Sequence, residues 1–338
     1  MRAISTIYEI AEVLKISPAT VSRAISGKGY VSKELRDQIL KVAKEMEYQP
    51  NSFARGLLNK RSYTIGLVIP DITNPFFPAV ARGVEDVAQR NGYTLILCNS
   101  DDDLQKETNY LETLRSKQID GVIYITSQVK APHIKKLIKA EIPVVLGDRA
   151  INIDCDFVAA DNVEGAYQAT RHLLGLGHTA IGIITGPLTL NTSRERLLGY
   201  QKALLDSGIQ AKDSLVVEGD FRQNGGYLAA RQLFNQAEPP TALFVSNDLM
   251  ALGALMFMEE ERIAVPDRVA LVSYDDTLLA SATNPKLTTV AQPKYEIGSI
   301  ACELLLERIN DKSRPRQQVV LKPKLIVRES SVCRNRMT

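Results

Sequence analysis

Three kinds of feature are missing from this chain of 338 residues, and each absence removes a class of function. The four cysteines, Cys98, Cys155, Cys302 and Cys333, are scattered without a C-x-x-C pair, and none of the three histidines, His133, His172 and His178, stands near them at ligand spacing. That pattern excludes a disulfide framework and a zinc site and fits a reducing cytosol. No G-x-G-x-x-G follows an apolar run, no G-x-x-x-x-G-K-[ST] occurs and no G-x-S-x-G elbow is visible, so the usual cradles for dinucleotides and phosphates and the hydrolase serine are lacking. No apolar run approaches the ~18 residues of a membrane span, and no secretory core follows Met1-Arg2-Ala3-Ile4-Ser5. The expectation is a cytoplasmic protein that spans no membrane, is not an enzyme and uses no metal or cofactor.

What is present is uneven. Net charge is only +2, but residues 1–62 hold 11 Lys and Arg against 6 Asp and Glu, a net of +5, while the remaining 30 against 33 give −3. A small basic module joined to a neutral or acidic body points to a polyanion as partner of the first part. The length allows two or three domains.

The basic module reads as short capped helices. Thr6-Ile7-Tyr8-Glu9 is a capping box, and Ile7, Ile10, Ala11 and Leu14 then form one apolar stripe. Lys15-Ile16 make a tight turn, and Ser17-Pro18 restart a helix with Ser as cap and Pro at its first position. Val21, Ala24 and Ile25 face inward there. Ser32 caps a third helix that buries Leu35, Ile39, Val42, Ala43 and Met46 and ends before Pro50. Two short helices joined by a tight turn and braced by a third make a helix-turn-helix. Its second helix shows Pro18, Ala19, Thr20, Ser22 and Arg23 outward. These small or hydrogen-bonding side chains admit a helix to a major groove, with an Arg able to reach guanine. Pro50 to Arg61 follow as a half-formed helix: Phe53 and Leu57 share a face, as do Ala54 and Leu58. Its helical part is only about eight residues long, below the ~12–15 an isolated helix needs, and Gly56 weakens it by about 1 kcal/mol.

From Thr64 onward strands and helices alternate. Apolar runs lie at Thr64–Ile69, Tyr93–Cys98, Gly121–Ile125 and Pro143–Gly147, then at Ala180–Thr185, Leu215–Glu218, Ala242–Val245 and Val269–Ser273. Helical patterns such as Ala79–Asn91, Glu107–Lys117, Val163–Leu176 and Gly226–Asn235 separate them. Two such series predict two doubly wound subdomains with parallel sheets. Ligands of open α/β sheets bind beyond the carboxyl ends of the strands, and there the chain places carboxylates, guanidinium groups, amides and Phe rings. Taken singly, each has an ordinary account: Asn74 before Pro75 as a helix cap, Phe76 and Phe77 as core, Arg194-Glu195-Arg196 as a solvated helix face. Their recurrence at one end of nearly every strand points to a small polyhydroxylated ligand.

The run from Thr6 to Arg23 resembles the headpiece of the lac/gal repressor (LacI/GalR) family, and so does Tyr48-Gln-Pro-Asn-Ser-Phe-Ala-Arg-Gly-Leu57. The likeness extends over essentially the whole chain. It implies an N-terminal all-α helix-turn-helix headpiece (1–49), a hinge helix (50–62) and an α/β body of the type I periplasmic-binding-protein kind. The body's N-terminal subdomain would be 63–161 with 293–321, and its C-terminal subdomain 162–292 with 322–338. The DNA-binding set implied is Thr6, Tyr8, Ser17, Pro18, Ala19, Thr20, Ser22, Arg23, Asn51, Ala54 and Leu57, with Leu57 wedged between base pairs in the minor groove. Partners implied are a palindromic operator, a second copy of the chain and a small effector.

Asn-Pro-Phe-Phe, Asp-Arg, Arg-Glu-Arg, Phe, Asn-Asp, Asp and Gln, in this order, look like the ribose-contacting set of periplasmic ribose-binding proteins. Carried over, the ligand set is Asn74, Phe76, Phe77, Asp148, Arg149, Thr192, Arg196, Phe221, Asn247, Asp275 and Gln292. Gly92–Asn99 and Gly219–Gly226 also resemble the ribose-operon repressors of that family. Purine-responsive members usually carry Trp at the position of Arg149 and Arg at that of Leu190, so ribose or a related sugar acting as inducer is expected. A purine-corepressed or carrier-protein-controlled catabolite regulator is the alternative within the family, and a sugar-transport receptor the alternative outside it.

Overall fold

The computed structural model describes residues 6–26, 29–46, 48, 61–125, 132–148 and 153–332. The chain divides into two compact units, Met1–Ser62 and Tyr63–Thr338. Residues 50–60 of the proposed hinge, with Asn51, Ala54 and Leu57, lie outside the described residues.

Among the described residues of the first unit, three helices form where their caps place them: α1 (Ile7–Leu14), α2 (Pro18–Ser26) and α3 (Lys33–Glu45). The Glu9 amide donates to Thr6 Oγ1 at 3.3 Å, and the Thr6 amide to Glu9 Oε2 at 2.6 Å, closing the capping box. Lys15, at φ 52°, ends α1 in a left-handed turn. The Thr20 amide donates to Ser17 Oγ at 3.1 Å and the Leu35 amide to Ser32 Oγ at 3.3 Å, starting α2 and α3. Ile10, Ala11, Val21, Ala24, Ile39 and Ala43 are buried where the three stripes meet.

The second unit contains two six-stranded sheets. The first holds β1 (Thr64–Ile69), β2 (Thr94–Asn99), β3 (Gly121–Tyr124), β4 (Val144–Gly147), β5 (Asp156–Ala160) and β11 (Gln318–Leu321), in the order β11-β5-β4-β3-β1-β2. The second holds β6 (Ile181–Thr185), β7 (Val216–Glu218), β8 (Ala242–Val245), β9 (Ala270–Asp275), β10 (Thr288–Ala291) and β12 (Lys324–Ile326), ordered β12-β10-β9-β8-β6-β7. All neighbours are parallel except β10 and β12, which are antiparallel. Strands β1, β3, β4, β6 and β8 are buried along most of their length because helices cover both faces.

The chain leaves the first sheet after Ala160 and runs into the helix Asn162–Gly175 of the second lobe. It returns after β10 into the helix Lys294–Asn310, whose Ile297, Ala301, Leu304 and Leu305 pack with Ile65, Leu67 and Val84 of the first lobe. Between Leu321 and Lys324 it crosses again. No described helix is long and apolar enough to cross a membrane.

Candidate functional site

Parallel strands all deliver their carboxyl ends to one edge of a sheet, so the two lobes present these edges to a shared cleft. Asn74, Phe76 and Phe77 follow β1, Asp148 follows β4, Thr192 and Arg196 follow β6, and Phe221 follows β7. Asn247 follows β8, Asp275 ends β9, and Gln292 follows β10. All ten line one cleft. Arg149 lies outside the described residues. The space left between these side chains is about 20 Å³, room for one water. A ligand larger than a water therefore needs the lobes to part or the side chains to turn.

Several cleft residues serve the fold as well. Asn74 Oδ1 accepts from the Phe76 amide at 3.1 Å, one residue ahead of Pro75, which holds the cap position of the helix Phe76–Arg90. Phe76 and Phe77 meet edge to face, centroids 5.2 Å apart, and belong to the first lobe's apolar core. Asn247 Oδ1 caps the helix Asp248–Glu260 through the Met250 amide at 2.9 Å, while its Nδ2 donates to the Phe221 carbonyl at 2.9 Å. The triplet Arg194-Glu195-Arg196 divides: Arg194 is exposed and bonded to Asn191, whereas Arg196 is buried at the cleft floor. Asp148, Phe221 and Asp275 hold positive φ, at 61°, 64° and 107°. A non-glycine residue held there costs about 1–3 kcal/mol, strain that the surrounding structure must hold in place and that clusters at ligand sites.

Supports that the sequence did not single out surround these groups. The Arg196 guanidinium lies 3.9 Å from the centroid of the Tyr274 ring, and its Nη1 is 4.0 Å from Asp275 Oδ1. Gln292 Nε2 donates to Asp275 Oδ1 at 2.7 Å. Burial pushes the Asp275 carboxyl up to about 7, against the pull of Arg196 and with the help of the neighbouring Asp248 charge. Asp248, fully enclosed, accepts from the Ser273 hydroxyl at 2.6 Å, the Thr277 amide at 2.6 Å and hydroxyl at 2.9 Å, and the Thr289 hydroxyl at 3.0 Å. Burial raises its pKa and these donors oppose the rise. Lys294 Nζ donates to the Asp275 and Asp276 carbonyls at 2.6 and 2.8 Å, pinning the loop at the end of β9. No sequence pattern marked Tyr274 or Lys294, since a tyrosine inside an apolar run reads as core and a lysine opening a helix reads as surface.

On the first unit, Ala19 and Arg23 of α2 are exposed and Pro18, Thr20 and Ser22 half-buried, a mostly small-residue face with one cation. Ser17 and Thr20 also bond each other, hydroxyl to hydroxyl at 2.9 Å. Tyr8 is 74% exposed on α1, and Thr6 is held in its capping box.

A basic helix-turn-helix unit joined to a two-lobed α/β body with a polar cleft defines a class: DNA-binding regulators that respond to a small ligand. Residues 6–51 match the family model "Bacterial regulatory proteins, lacI family", and residues 62–328 match "Periplasmic binding proteins and sugar binding domain of LacI family". The chain belongs to the LacI family and is a sequence-specific transcriptional repressor controlled by a small ligand. It is similar to the ribose operon repressor of Halalkalibacterium halodurans, with 38% identity over 97% of each chain. It is similar also to catabolite control protein A of Priestia megaterium, with 36% identity over 96% of this chain and 99% of that one. Among solved structures it resembles the lac repressor dimer bound to operator and the anti-inducer ONPF, at TM-score 0.89 and 25% identity over 98% of this chain and 100% of that one. A LacI family regulator from Enterococcus faecium with bound ribose matches at TM-score 0.73 and 32% identity, covering 80% of this chain and 98% of that one.

Proposed function

We propose that the cleft takes ribose or a closely related pentose and that the sugar acts as inducer, releasing the headpieces of a homodimer from a palindromic operator. The observation that carries this reading is the convergence of charged groups, amides and three Phe rings from seven strand ends on two lobes. Arg196, Asp148 and Asp275 supply directed, charge-assisted bonds to hydroxyls, and Phe76, Phe77 and Phe221 cover the apolar faces of a small ring. A relative named for the ribose operon and a ribose-bound family structure agree with that chemistry. The protein acts in the cytoplasm and performs no catalysis.

On DNA, Thr20, Ser22 and Arg23 with Pro18 and Ala19 enter the major groove, Thr6, Tyr8, Ser17 and Asn51 fix the headpiece on the backbone, and Ala54 and Leu57 of the hinge enter the minor groove. Two copies match the two-fold symmetry of the operator. Sugar closing the cleft moves the first lobes so that the hinges separate. Because coupling is reciprocal, operator must weaken sugar binding by the factor with which sugar weakens operator binding.

Calorimetric titration with D-ribose, ribose 5-phosphate and purine bases, with and without operator, tests this. Binding of ribose that weakens on DNA is expected. Preference for a purine that strengthens DNA binding would sink the inducer reading. The 36% identity to catabolite control protein A favours a second reading, a catabolite regulator controlled by a carrier protein, for which no free sugar would change operator affinity.

A further inference from the structure

Arg196 is fixed by the protein alone. Its Nε donates to Asn162 Oδ1 at 2.9 Å, its Nη1 donates to the Ser246 carbonyl at 2.5 Å, and its guanidinium stacks on Tyr274. A guanidinium has five N–H groups, so these two bonds leave three beyond them. Asn162 in turn donates from Nδ2 to Glu195 Oε2 at 3.0 Å. These two neighbours fix which way the amide faces. Turned over, it would set its amino group against the Arg196 N–H and its oxygen against the Glu195 carboxylate.

Asn162 is 2% exposed and does not line the cleft. Nor is it needed to start its helix, because Asp161 already caps Glu164 through the amide at 2.9 Å. Its position is the first helical residue after the chain leaves the first sheet at Ala160. The helix Asn191–Leu205 comes close enough for the Arg196 contact because Gly199 has no side chain. A Cβ there would lie 2.2 Å from the Val163 carbonyl oxygen.

We infer that Asn162 is a positioning residue for the sugar site: it holds the Arg196 guanidinium in the orientation that leaves its remaining N–H groups for the cleft. The inference rests on Arg196 being a sugar contact, as proposed above. Glu195 acts one step further back, as the group that keeps the Asn162 carbonyl facing the guanidinium.

The test is a double-mutant cycle on the full chain, read by titration with D-ribose and by thermal melting. Asn162→Ala is expected to weaken ribose about tenfold, the scale of one hydrogen bond to a charged group. Arg196→Lys keeps the charge but loses the fork and is expected to weaken ribose more. The double variant should be no weaker than Arg196→Lys alone, because Asn162 acts only through Arg196. Asn162→Asp combined with Glu195→Gln, which restores an acceptor for Nε and a donor behind it, should recover affinity. Additive losses, or wild-type affinity in Asn162→Ala, overturn the inference. Wild-type affinity in Arg196→Lys overturns the sugar reading and the inference with it, a result distinct from additivity. A ligand-free arm follows proton exchange at Arg196 Nε by nitrogen-edited NMR. Slow exchange that becomes fast in Asn162→Ala supports the positioning role, and unchanged exchange sinks it whichever sugar binds.

Discussion

Among the described residues, the headpiece closes around six buried apolar side chains on three helices, whereas the body spreads its core over four apolar clusters flanking two sheets. Local devices carry much of the smaller unit: a capping box, two serine caps and one left-handed turn. The larger one can bury polar groups outright. Asp248 with its four donors is one case, and Asp156, bonded to Arg308 at 2.9 Å and paired with Arg314 at 3.2 Å, is another. Units of this small size bury a smaller share of their surface and sit near the limit of independent stability. The difference separates two kinds of failure. Damage to the headpiece should remove DNA binding by unfolding, while damage at the cleft should remove the response and leave the fold.

The largest expected effect cuts the two apart. Removing residues 1–62 should reduce specific operator affinity by roughly a thousandfold or more, read by mobility shift, while ribose affinity by calorimetry stays where it was. Loss of both activities together would mean that the units are not separable. Next comes Arg196→Met. Deleting one partner from a buried, hydrogen-bonded charge site costs about 2–5 kcal/mol, so ribose affinity should fall by about a hundredfold. Operator should then remain bound at sugar concentrations that release the parent protein. Release at the parent's concentration would remove Arg196 from the ligand set.

The sequence made these units visible to different depths. In the headpiece the caps are short-range signals, and Thr6, Ser17 and Ser32 each start a helix within a residue of where the spacing predicts. In the body the central strands announced themselves as apolar runs because both their faces are covered. Four strands did not: β5, β10, β11 and β12. Strand β11, at a sheet edge, alternates exposed and half-buried residues, β12 has three residues after Lys322-Pro323, and β5 opens on a charged residue that binds arginines. The cleft set was legible through the rule that ligands gather beyond strand ends, with residue assignments carried over from the family resemblance. What stayed hidden were residues whose partners are distant in sequence. Asn162 meets Arg196 across 34 positions and Lys294 meets Asp275 across 19, and no local pattern encodes either contact.

A matched pair of truncations sharpens the contrast in stability. Ile39 and Ile183 are both fully buried, and Ile→Ala costs about 2–5 kcal/mol at such sites. In the body that loss should lower Tm by a few degrees. In the headpiece the same loss is comparable to the whole stability of so small a unit, so Ile39→Ala should abolish its folding and its operator binding. Calorimetric scans should show the body transition unmoved. An equal Tm shift for both variants in one common transition would mean that the units melt together.

The smallest effect is a pH dependence confined to the cleft. Burial raises the Asp275 carboxyl to about 7 from an ordinary 3.8. In the sugar-free protein the acid form is therefore the one the fold favours. The cost of ionising Asp275 is absent below about pH 4, grows as pH rises toward 7 and is constant above it. In the proposed site sugar hydroxyls would donate to the carboxylate, so sugar would bind the ionised form and release a proton when it binds below pH 7. Ribose affinity should then be roughly tenfold weaker at pH 6 than at pH 8, one pKa unit being worth a factor of ten. Titrations in buffers of different ionisation enthalpy should count close to one proton released at pH 6. Asp275→Asn should bind more weakly but with a flat profile. A profile that rises toward acid pH would mean that Asp275 donates to the sugar as the neutral acid, making its raised pKa part of recognition rather than an obstacle to it.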